Sequence, residues 1–113
     1  MKIEKFHIYF ADLNPRFGTE PGKIRPVIVI QTDMLNDFHP STIILPITTQ
    51  VTKEASILRV HLNKDESGLK EDSDILIDQI RAIDNRRFVK HVGSIPKALK
   101  QKVIENLKIL IFE

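Results

Sequence analysis

The sequence predicts an α+β protein, mostly β, in which short antiparallel strands form a small, strongly curved sheet and one helix ends the chain. Runs rich in isoleucine, valine and aromatic residues alternate with turn-forming residues over most of the chain, which is typical of strands. Near the carboxyl terminus the apolar residues recur instead every three to four residues, the spacing of one helical face. These patterns alone leave a barrel and a sandwich open.

The predicted strands share β-branched or aromatic residues and flanking turn formers. They cover residues 6–13, 26–31, 41–47, 58–62, 74–79 and 81–83. Within residues 58–62, strict alternation of apolar and polar residues directs Arg59 and His61 to water or to a partner. The intervening residues 63–72 are polar and charged around Gly68, and they are predicted as a turn or loop within one domain.

A carboxy-terminal helix is predicted from Leu99, Val103 and Leu107, which lie on one helical face. Pro96 fits the first turn of this helix, because its missing amide hydrogen has no intrahelical partner there, and Ser94 is a candidate cap. The lysines of this segment are predicted to cover its solvent face.

The chain of 113 residues has the length of one domain, which we predict to span residues 1–113. It contains no cysteine, which excludes disulfides, thiolate nucleophiles and cysteine-based zinc sites, and which leads us to expect a cytoplasmic protein. We expect no secretory signal and no membrane span, since no segment has roughly twenty apolar residues. The histidines lack metal-ligand spacing, so neither a metal nor a cofactor is expected. The net charge of +2 is too small to indicate a nucleic-acid binder.

A polar loop at residues 18–26 contains two glycines and places Arg25 near the start of an apolar run at residues 27–30. A guanidinium is charged at any accessible pH and presents a fixed fork of donors, so an arginine held where a loop meets a strand suits phosphate binding. Taken alone, the same pattern also describes a solvated loop arginine.

Four segments occur together in the order and at the spacing of a known family. They are residues 9–15 as an opening strand and turn, 18–26 as a first active-site loop, 46–50 as a second loop, and 78–84 as an interface segment. In these segments the chain resembles the MazF/PemK toxin family, and the resemblance runs nearly from end to end. It implies an SH3-like barrel with appended helices. It also implies a metal-independent endoribonuclease that cuts single-stranded RNA and is silenced by an antitoxin.

The resemblance implies that Arg25 and Thr48 are the catalytic pair. Such a ribonuclease uses the 2′-hydroxyl of its substrate as nucleophile and leaves a 2′,3′-cyclic phosphate and a 5′-hydroxyl. Arg25 would stabilise the charge that builds on the phosphate, and the stiff, β-branched Thr48 would donate to a phosphate oxygen or hold a water. Without the resemblance, Thr48 would be interpreted as a strand-end threonine that bonds the local backbone.

Further residues are predicted to bind or position the RNA: Phe17, Thr19, Glu20, Gln50, Asp78 and Gln79. Phe17 is either a base-stacking residue, together with Arg16, or a loop anchor packed on the sheet. The general base is open between Glu20, Asp78 and neither. Asp78 has the position of an acidic base in one branch of the family, but Leu76 replaces the arginine of that branch, so Asp78 is alternatively a groove or interface residue. Glu20 alternatively orients the arginine of its own loop.

The resemblance also implies partners. Two copies would form a homodimer through residues 78–84 and the terminal helix, with RNA in the groove across it, and an antitoxin with a disordered acidic tail would occupy the same groove. The alternative is a non-catalytic toxin of the CcdB type, a gyrase poison on the same fold, because fold alone does not define function. That type depends on a terminal tryptophan, whereas this chain has no tryptophan. A degenerate toxin that only titrates an antitoxin would need a damaged site, and Arg25 and Thr48 are both present.

Overall fold

The computed structural model describes residues 1–15, 17–20, 22–54 and 56–113. Its strands are β1 (His7–Asp12), β2 (Ile24–Val29), β3 (Ser41–Thr48), β4 (Arg59–Leu62), β5 (Ser73–Leu76), β6 (Arg81–Asp84) and β7 (Phe88–Ser94). Its helices are α1 (Lys64–Ser67) and α2 (Lys97–Phe112), and a 3₁₀ turn (Asn85–Arg87) precedes β7. All strand pairs are antiparallel. The predicted α+β class, a curved antiparallel sheet followed by a helix, is confirmed.

The sheet is organised around β3, which has eight residues. β3 pairs with β2 and β6 along most of its length, and its last residues pair with β5, which continues to β4. The path through the sheet is β4-β5-β3-β2-β1-β7. No pair joins β4 to β7 in the part of the chain that the structure describes, so hydrogen bonds do not close the predicted barrel. The short helix α1 contacts β7, where a Cβ on Gly93 would lie 2.8 Å from the carbonyl oxygen of Ser67.

Apolar side chains are buried on both faces of the sheet. Successive side chains of a strand point to opposite faces, and Ile28 and Leu45 accordingly lie in one apolar cluster with Val103 of α2. Their chain neighbours Val27 and Ile44 lie in a second cluster. With both faces covered, the sheet provides a rigid support for the polar residues at the ends of β2 and β3.

β7 has no counterpart among the strands predicted from the sequence. Its residues are exposed or half-buried, and they include Lys90, His91 and Gly93. Two register shifts in its pairing with β1 also interrupt the alternation of the strand. An edge strand of this kind has no strict apolar period from which it can be recognised.

Two predicted boundaries are wrong. The strand predicted at residues 74–79 ends at Leu76, because a turn follows in which the amide of Gln79 donates to the carbonyl of Leu76 at 3.3 Å. Pro96 is the N-cap of α2 and lies before its first turn, and no side chain caps the helix there. Ser94, predicted as a cap, is instead the last residue of β7 and pairs with His7.

The helices occupy the remaining segments. The predicted loop at 63–72 contains α1, which Asn63 caps by accepting a hydrogen bond from the amide of Asp65 at 2.9 Å. Gly68 ends α1 with a φ of 80°, a left-handed conformation that favours glycine. Within the described ranges, neither helix is both long and apolar enough to cross a membrane.

Candidate active site

The pairing of β2 with β3 brings Arg25 and Thr48 together. The paired residues are Val27 with Pro46 and, farther along, Ile28 with Leu45 and Val29 with Ile44. Arg25 lies two residues before Val27, and Thr48 lies two residues after Pro46. The observed pairs end at Val27 and Pro46, and continuation of the same register by two residues aligns Arg25 with Thr48 on one face of the sheet.

A cleft of about 550 Å³ lies at this end of β2 and β3. Its lining includes Thr19, Glu20, Arg25, Thr48, Gln50 and Arg59. The structure thus brings the predicted catalytic pair into one cleft with three of the residues predicted to bind or position RNA. Arg59 was not among the predicted site residues.

Arg25 is half-buried and is fixed against its own loop. Its Nε donates a hydrogen bond of 2.9 Å to the carbonyl of Gly22, a buried residue three positions earlier. A bond from Nε orients the plane of the guanidinium, whose fixed fork of donors matches the oxygens of a phosphate. This geometry suits binding of a phosphate in the cleft.

The base of the first loop is closed by bonds between its two ends. The amide of Leu13 donates to the carbonyl of Lys23 at 2.9 Å, and the amide of Lys23 donates to Oδ1 of Asn14 at 2.8 Å. Nη1 of Arg87, from the 3₁₀ turn, donates to the carbonyl of Asp12 at 2.9 Å and also to the carbonyl of Asn14. These bonds fix the position at which the loop leaves β1 and enters β2.

Thr48 makes a local bond as well as facing the cleft. Its Oγ1 accepts a hydrogen bond of 3.1 Å from the amide of Gln50, which is the backbone interaction typical of a strand-end threonine. A hydroxyl has one hydrogen to donate and two acceptor sites, so this bond occupies one acceptor site only. The hydroxyl is thereby oriented, and its hydrogen is available to a phosphate oxygen.

Asp74 of β5 is a fully buried carboxylate beside the second loop. It accepts hydrogen bonds from Nη1 of Arg59 at 2.9 Å, from Nδ1 of His61 at 2.5 Å, and from the amide of Thr52 at 3.1 Å. Nη1 of Arg59 also donates to the carbonyl of Gln50 at 2.8 Å. The loop after β3 is therefore tied to Asp74 at one residue and to Arg59 at another.

The pKa of Asp74 is lower than the ordinary value of an aspartate. Burial of the carboxyl group acts to raise this pKa, but the hydrogen bonds from Arg59, His61 and the amide of Thr52 together outweigh it. The carboxylate is consequently ionised at neutral pH. Since an ionised carboxylate only accepts hydrogen bonds, Nδ1 of His61 carries a hydrogen in this contact.

Sequence reasoning missed this group, although two signals for it are present. Alternation along β4 already places Arg59 and His61 on one face, and Asp74 is the first residue of the predicted strand, directly before the apolar residues Ile75 and Leu76. An acidic residue inside an apolar strand needs a buried cationic partner. The register of β4 with β5 supplies it, since His61 is the cross-strand partner of Asp74.

The remaining predicted residues lie outside the described lining of the cleft. Phe17 is 70% exposed, so the alternative that it anchors the loop by packing on the sheet is wrong. Asp78 is exposed and Gln79 is half-buried, and both lie in the turn between β5 and β6, shortly after the cleft residue Leu76. Arg16 lies outside the described residues. Across the residues that the structure describes, no three histidine or acidic side chains are grouped so as to hold a metal ion.

Comparisons with known proteins identify the family of the chain. Residues 4–111 match the family described as PemK-like, MazF-like toxin of type II toxin-antitoxin system. The chain is 38% identical over 109 residues to endoribonuclease EndoA from Bacillus subtilis (strain 168). The aligned region covers 96% of this chain and 94% of that protein.

Solved structures share the fold. MazF (Form-I) from Deinococcus radiodurans superposes with a TM-score of 0.84 at 21% identity, covering 100% of this chain and 99% of the other. A MazE-MazF structure (Form-II) from the same organism gives a TM-score of 0.77 at 18% identity, covering 99% of this chain and 97% of the other. The chain therefore belongs to the family of PemK-like, MazF-like toxins of type II toxin–antitoxin systems.

Proposed function

We propose that this chain is a toxin that cuts single-stranded RNA, sequence-specifically and without a metal ion, in the cleft between its first and second loops. The observation that carries this proposal is that Arg25 of β2 and Thr48 of β3, which are paired strands, line one cleft. Membership of the toxin family and 38% identity to an endoribonuclease support the activity. The predicted endoribonuclease class agrees with both comparisons.

The reaction is an internal transesterification of the RNA. The 2′-oxygen forms a bond to phosphorus, the bond from phosphorus to the 5′-oxygen breaks, and the products are a 2′,3′-cyclic phosphate and a 5′-hydroxyl. Arg25 binds the phosphate oxygens and stabilises their charge as phosphorus becomes five-coordinate. Thr48 donates its hydroxyl to a phosphate oxygen, in an orientation set by its bond to the amide of Gln50.

The proton of the 2′-hydroxyl must pass to a base, and a proton must reach the 5′-oxygen. Of the two carboxylates considered for this role, Glu20 lines the cleft, whereas Asp78 lies in the β5–β6 turn outside its described lining. We assign the base to Glu20 on this ground. Asp78 and Gln79 then contact the RNA beyond the scissile phosphate.

The exposed loop residues suit recognition of unpaired bases. Gln50 and Thr19 line the cleft, and the amide of Gln50 both donates and accepts, as reading of a base edge requires. Phe17 exposes most of its ring beside the first loop, as stacking on a base requires. RNA bases are open to such contacts only where the strand is unpaired.

The partners follow from the family. An antitoxin partner is supported by solved relatives that include a MazE-MazF structure and an endoribonuclease in complex with its cognate antitoxin. We propose that an antitoxin with a disordered acidic tail binds this chain, that two copies form a homodimer, and that residues 1–113 are a single toxin domain. Because the substrate is cellular RNA, the cytoplasm is the proposed site of action. The gyrase-poison alternative is not favoured, since the chain matches the PemK-like, MazF-like toxin family and a relative named as an endoribonuclease.

The proposal is tested with the purified chain and a long single-stranded RNA in excess chelator. Primer extension maps the ends of the fragments, and Arg25→Ala and Thr48→Ala are treated in parallel. Discrete cuts that persist in chelator and disappear in both variants are the expected result. Intact RNA with folded wild-type protein would exclude the ribonuclease, and supercoiling by gyrase would then be assayed in the presence of the chain.

A further inference from the structure

We propose that Arg59 is a second phosphate-binding cation of the cleft, and that the buried carboxylate of Asp74 is the positioning residue that holds it there. This inference rests on the proposed function, because it concerns the path of the RNA backbone through the same cleft. It adds an RNA contact from β4, whereas the predicted catalytic pair comes from β2 and β3.

Within the described residues, hydrogen bonds hold the Arg59 guanidinium at one atom, Nη1. Its side chain is 27% exposed, and Nη1 donates both to Oδ2 of Asp74 and to the carbonyl of Gln50. These two bonds use the two hydrogens of Nη1. Among the described residues, the other three of the five guanidinium hydrogens, on Nη2 and Nε, make no hydrogen bond that would compete with a ligand, and the residue lines the cleft.

Strand register shows where this cation lies relative to the catalytic pair. Thr48 of β3 pairs with Asp74 of β5, and Asp74 pairs in turn with His61 of β4. Neighbouring strands are about 4.8 Å apart, so β4 lies on the order of 10 Å from β3 along the sheet, on the side away from Arg25. An arginine on β4 therefore binds a different phosphate of the RNA from the one that Arg25 contacts.

Asp74 holds the Arg59 side chain in one geometry before RNA binds. A free arginine side chain loses considerable rotamer freedom when it binds a phosphate, but Arg59 is already held in one geometry by two hydrogen bonds. The Asp74 carboxylate also accepts from His61 and from the amide of Thr52, so it stays behind the guanidinium and does not compete with RNA in the cleft. Preorganisation of this kind increases affinity without adding contacts.

The number of phosphates contacted is measured from the salt dependence of binding. The probe is a single-stranded 2′-O-methyl copy of a segment of the RNA used in the cleavage assay, and it cannot be cut because it lacks the attacking 2′-hydroxyl. For single strands the slope of log K against log salt changes by about 0.7 for each phosphate contact. We expect Arg59→Gln to reduce the slope by that amount and Arg59→Lys to retain the slope while losing affinity, because an ammonium lacks the guanidinium fork.

Arg86→Gln is the matched control, because Arg86 also pairs with an aspartate at 2.9 Å, at an exposed site outside the described lining of the cleft. We expect its slope to equal that of the wild type. Equal reductions in Arg59→Gln and Arg86→Gln would overturn the inference, since the effect would then be one of net charge. An unchanged slope in Arg59→Gln would overturn it as well.

The positioning role is tested by Asp74→Asn and by cleavage kinetics. If Asp74 orders Arg59, folded Asp74→Asn binds the probe as weakly as Arg59→Gln, and wild-type affinity in a folded variant would contradict the role. If Asp74→Asn does not fold, the cleavage kinetics of Arg59→Gln decide whether Arg59 binds RNA. Arg59→Gln is then expected to raise KM by about tenfold or more, with a smaller change in kcat. A change confined to kcat would overturn the binding role. Wild-type protein that binds the probe but cuts no RNA would refute the proposed function alone.

Discussion

Thr48 of β3 and Asp74 of β5 are cross-strand partners, so a fully buried carboxylate lies directly beside the predicted catalytic hydroxyl. Asp74 also accepts from the amide of Thr52, four residues after Thr48. Gln50 therefore lies between two residues that are both held to Asp74, Thr48 by strand pairing and Thr52 by its amide hydrogen bond. A buried charge placed there serves to position the loop, and its removal is expected to affect both the stability of the fold and the geometry of the cleft.

Replacement of Asp74 by asparagine is expected to lower the free energy of unfolding by about 3 kcal/mol, at the lower end of the range for a broken buried ion pair, because both cationic partners are partly exposed. The measurement is urea denaturation at neutral pH. Glu105→Gln is the control, since Glu105 is an exposed carboxylate on α2, and its effect is expected within about 0.5 kcal/mol. Equal stability of the two variants would contradict the role of Asp74.

The contribution of Asp74 to stability is expected to disappear in acid. The pKa of Asp74 is lowered in the folded protein. In the unfolded chain its pKa is about 3.9, so the unfolded state binds a proton at Asp74 more readily than the folded state does. The stabilising contribution of Asp74 is therefore fully present above about pH 5, and it is lost as the pH falls through the pKa that Asp74 has in the folded protein. Unfolding free energies of wild type and Asp74→Asn are compared over this range.

The difference between the two proteins isolates Asp74 in that titration. Asp33 and Asp84 also have lowered pKa values, and that of Asp84 is about 2 because of its hydrogen bonds from Arg86. Their effects are common to both proteins and cancel. A difference that stays constant from neutral to acid pH would show that folding does not change the pKa of Asp74, and it would contradict a lowered pKa in the folded protein.

The fold was predictable wherever apolar residues form continuous runs or alternate with polar residues. The buried strands β2 and β3 carry that signal in residues such as Val27 and Leu45. β7 does not carry it, because its side chains are mostly exposed and its pairing with β1 is irregular. Local hydropathy patterns predict strands whose side chains are buried. An edge strand that is held mainly by backbone hydrogen bonds does not produce such a pattern.

The candidate site was predictable in part. Arg25 and Thr48 were located by resemblance, and the register of their strands explains why they meet. The contact of Arg59 with Asp74 joins residues 15 positions apart, and it depends on how β4 and β5 pair. A sequence pattern shows that both residues are polar within strands, but it does not show which strands are neighbours.

Arg25→Ala is expected to reduce the single-turnover rate of RNA cleavage by about a hundred- to a thousandfold, the usual cost of one lost donor to a developing oxyanion. Arg25→Lys keeps the charge but loses the Nε bond that orients the side chain against Gly22. It is expected to fall between alanine and the wild type. Cleavage by Arg25→Ala at the wild-type rate would remove this residue from the mechanism.

The role of the Thr48 hydroxyl is tested by two substitutions of similar size. Thr48→Val keeps the β-branched shape and removes the hydroxyl, and it is expected to lower kcat by about tenfold or more through loss of one hydrogen bond to the phosphate. Thr48→Ser keeps the hydroxyl and is expected to retain most of the rate. If valine and serine lower kcat equally, the methyl group and not the hydroxyl is what matters at this position.

Phe17→Ala separates RNA stacking from a structural role. The ring is 70% exposed, so its removal is expected to leave the free energy of unfolding within about 0.5 kcal/mol of the wild type. Loss of a stacked base would weaken binding of the uncleavable oligonucleotide by about 1–3 kcal/mol. Phe17→Tyr, which keeps an aromatic face, is the control and is expected to bind as the wild type does. A substantial loss of stability in Phe17→Ala, with unchanged RNA affinity, would instead assign the ring to contacts within the protein or between its copies.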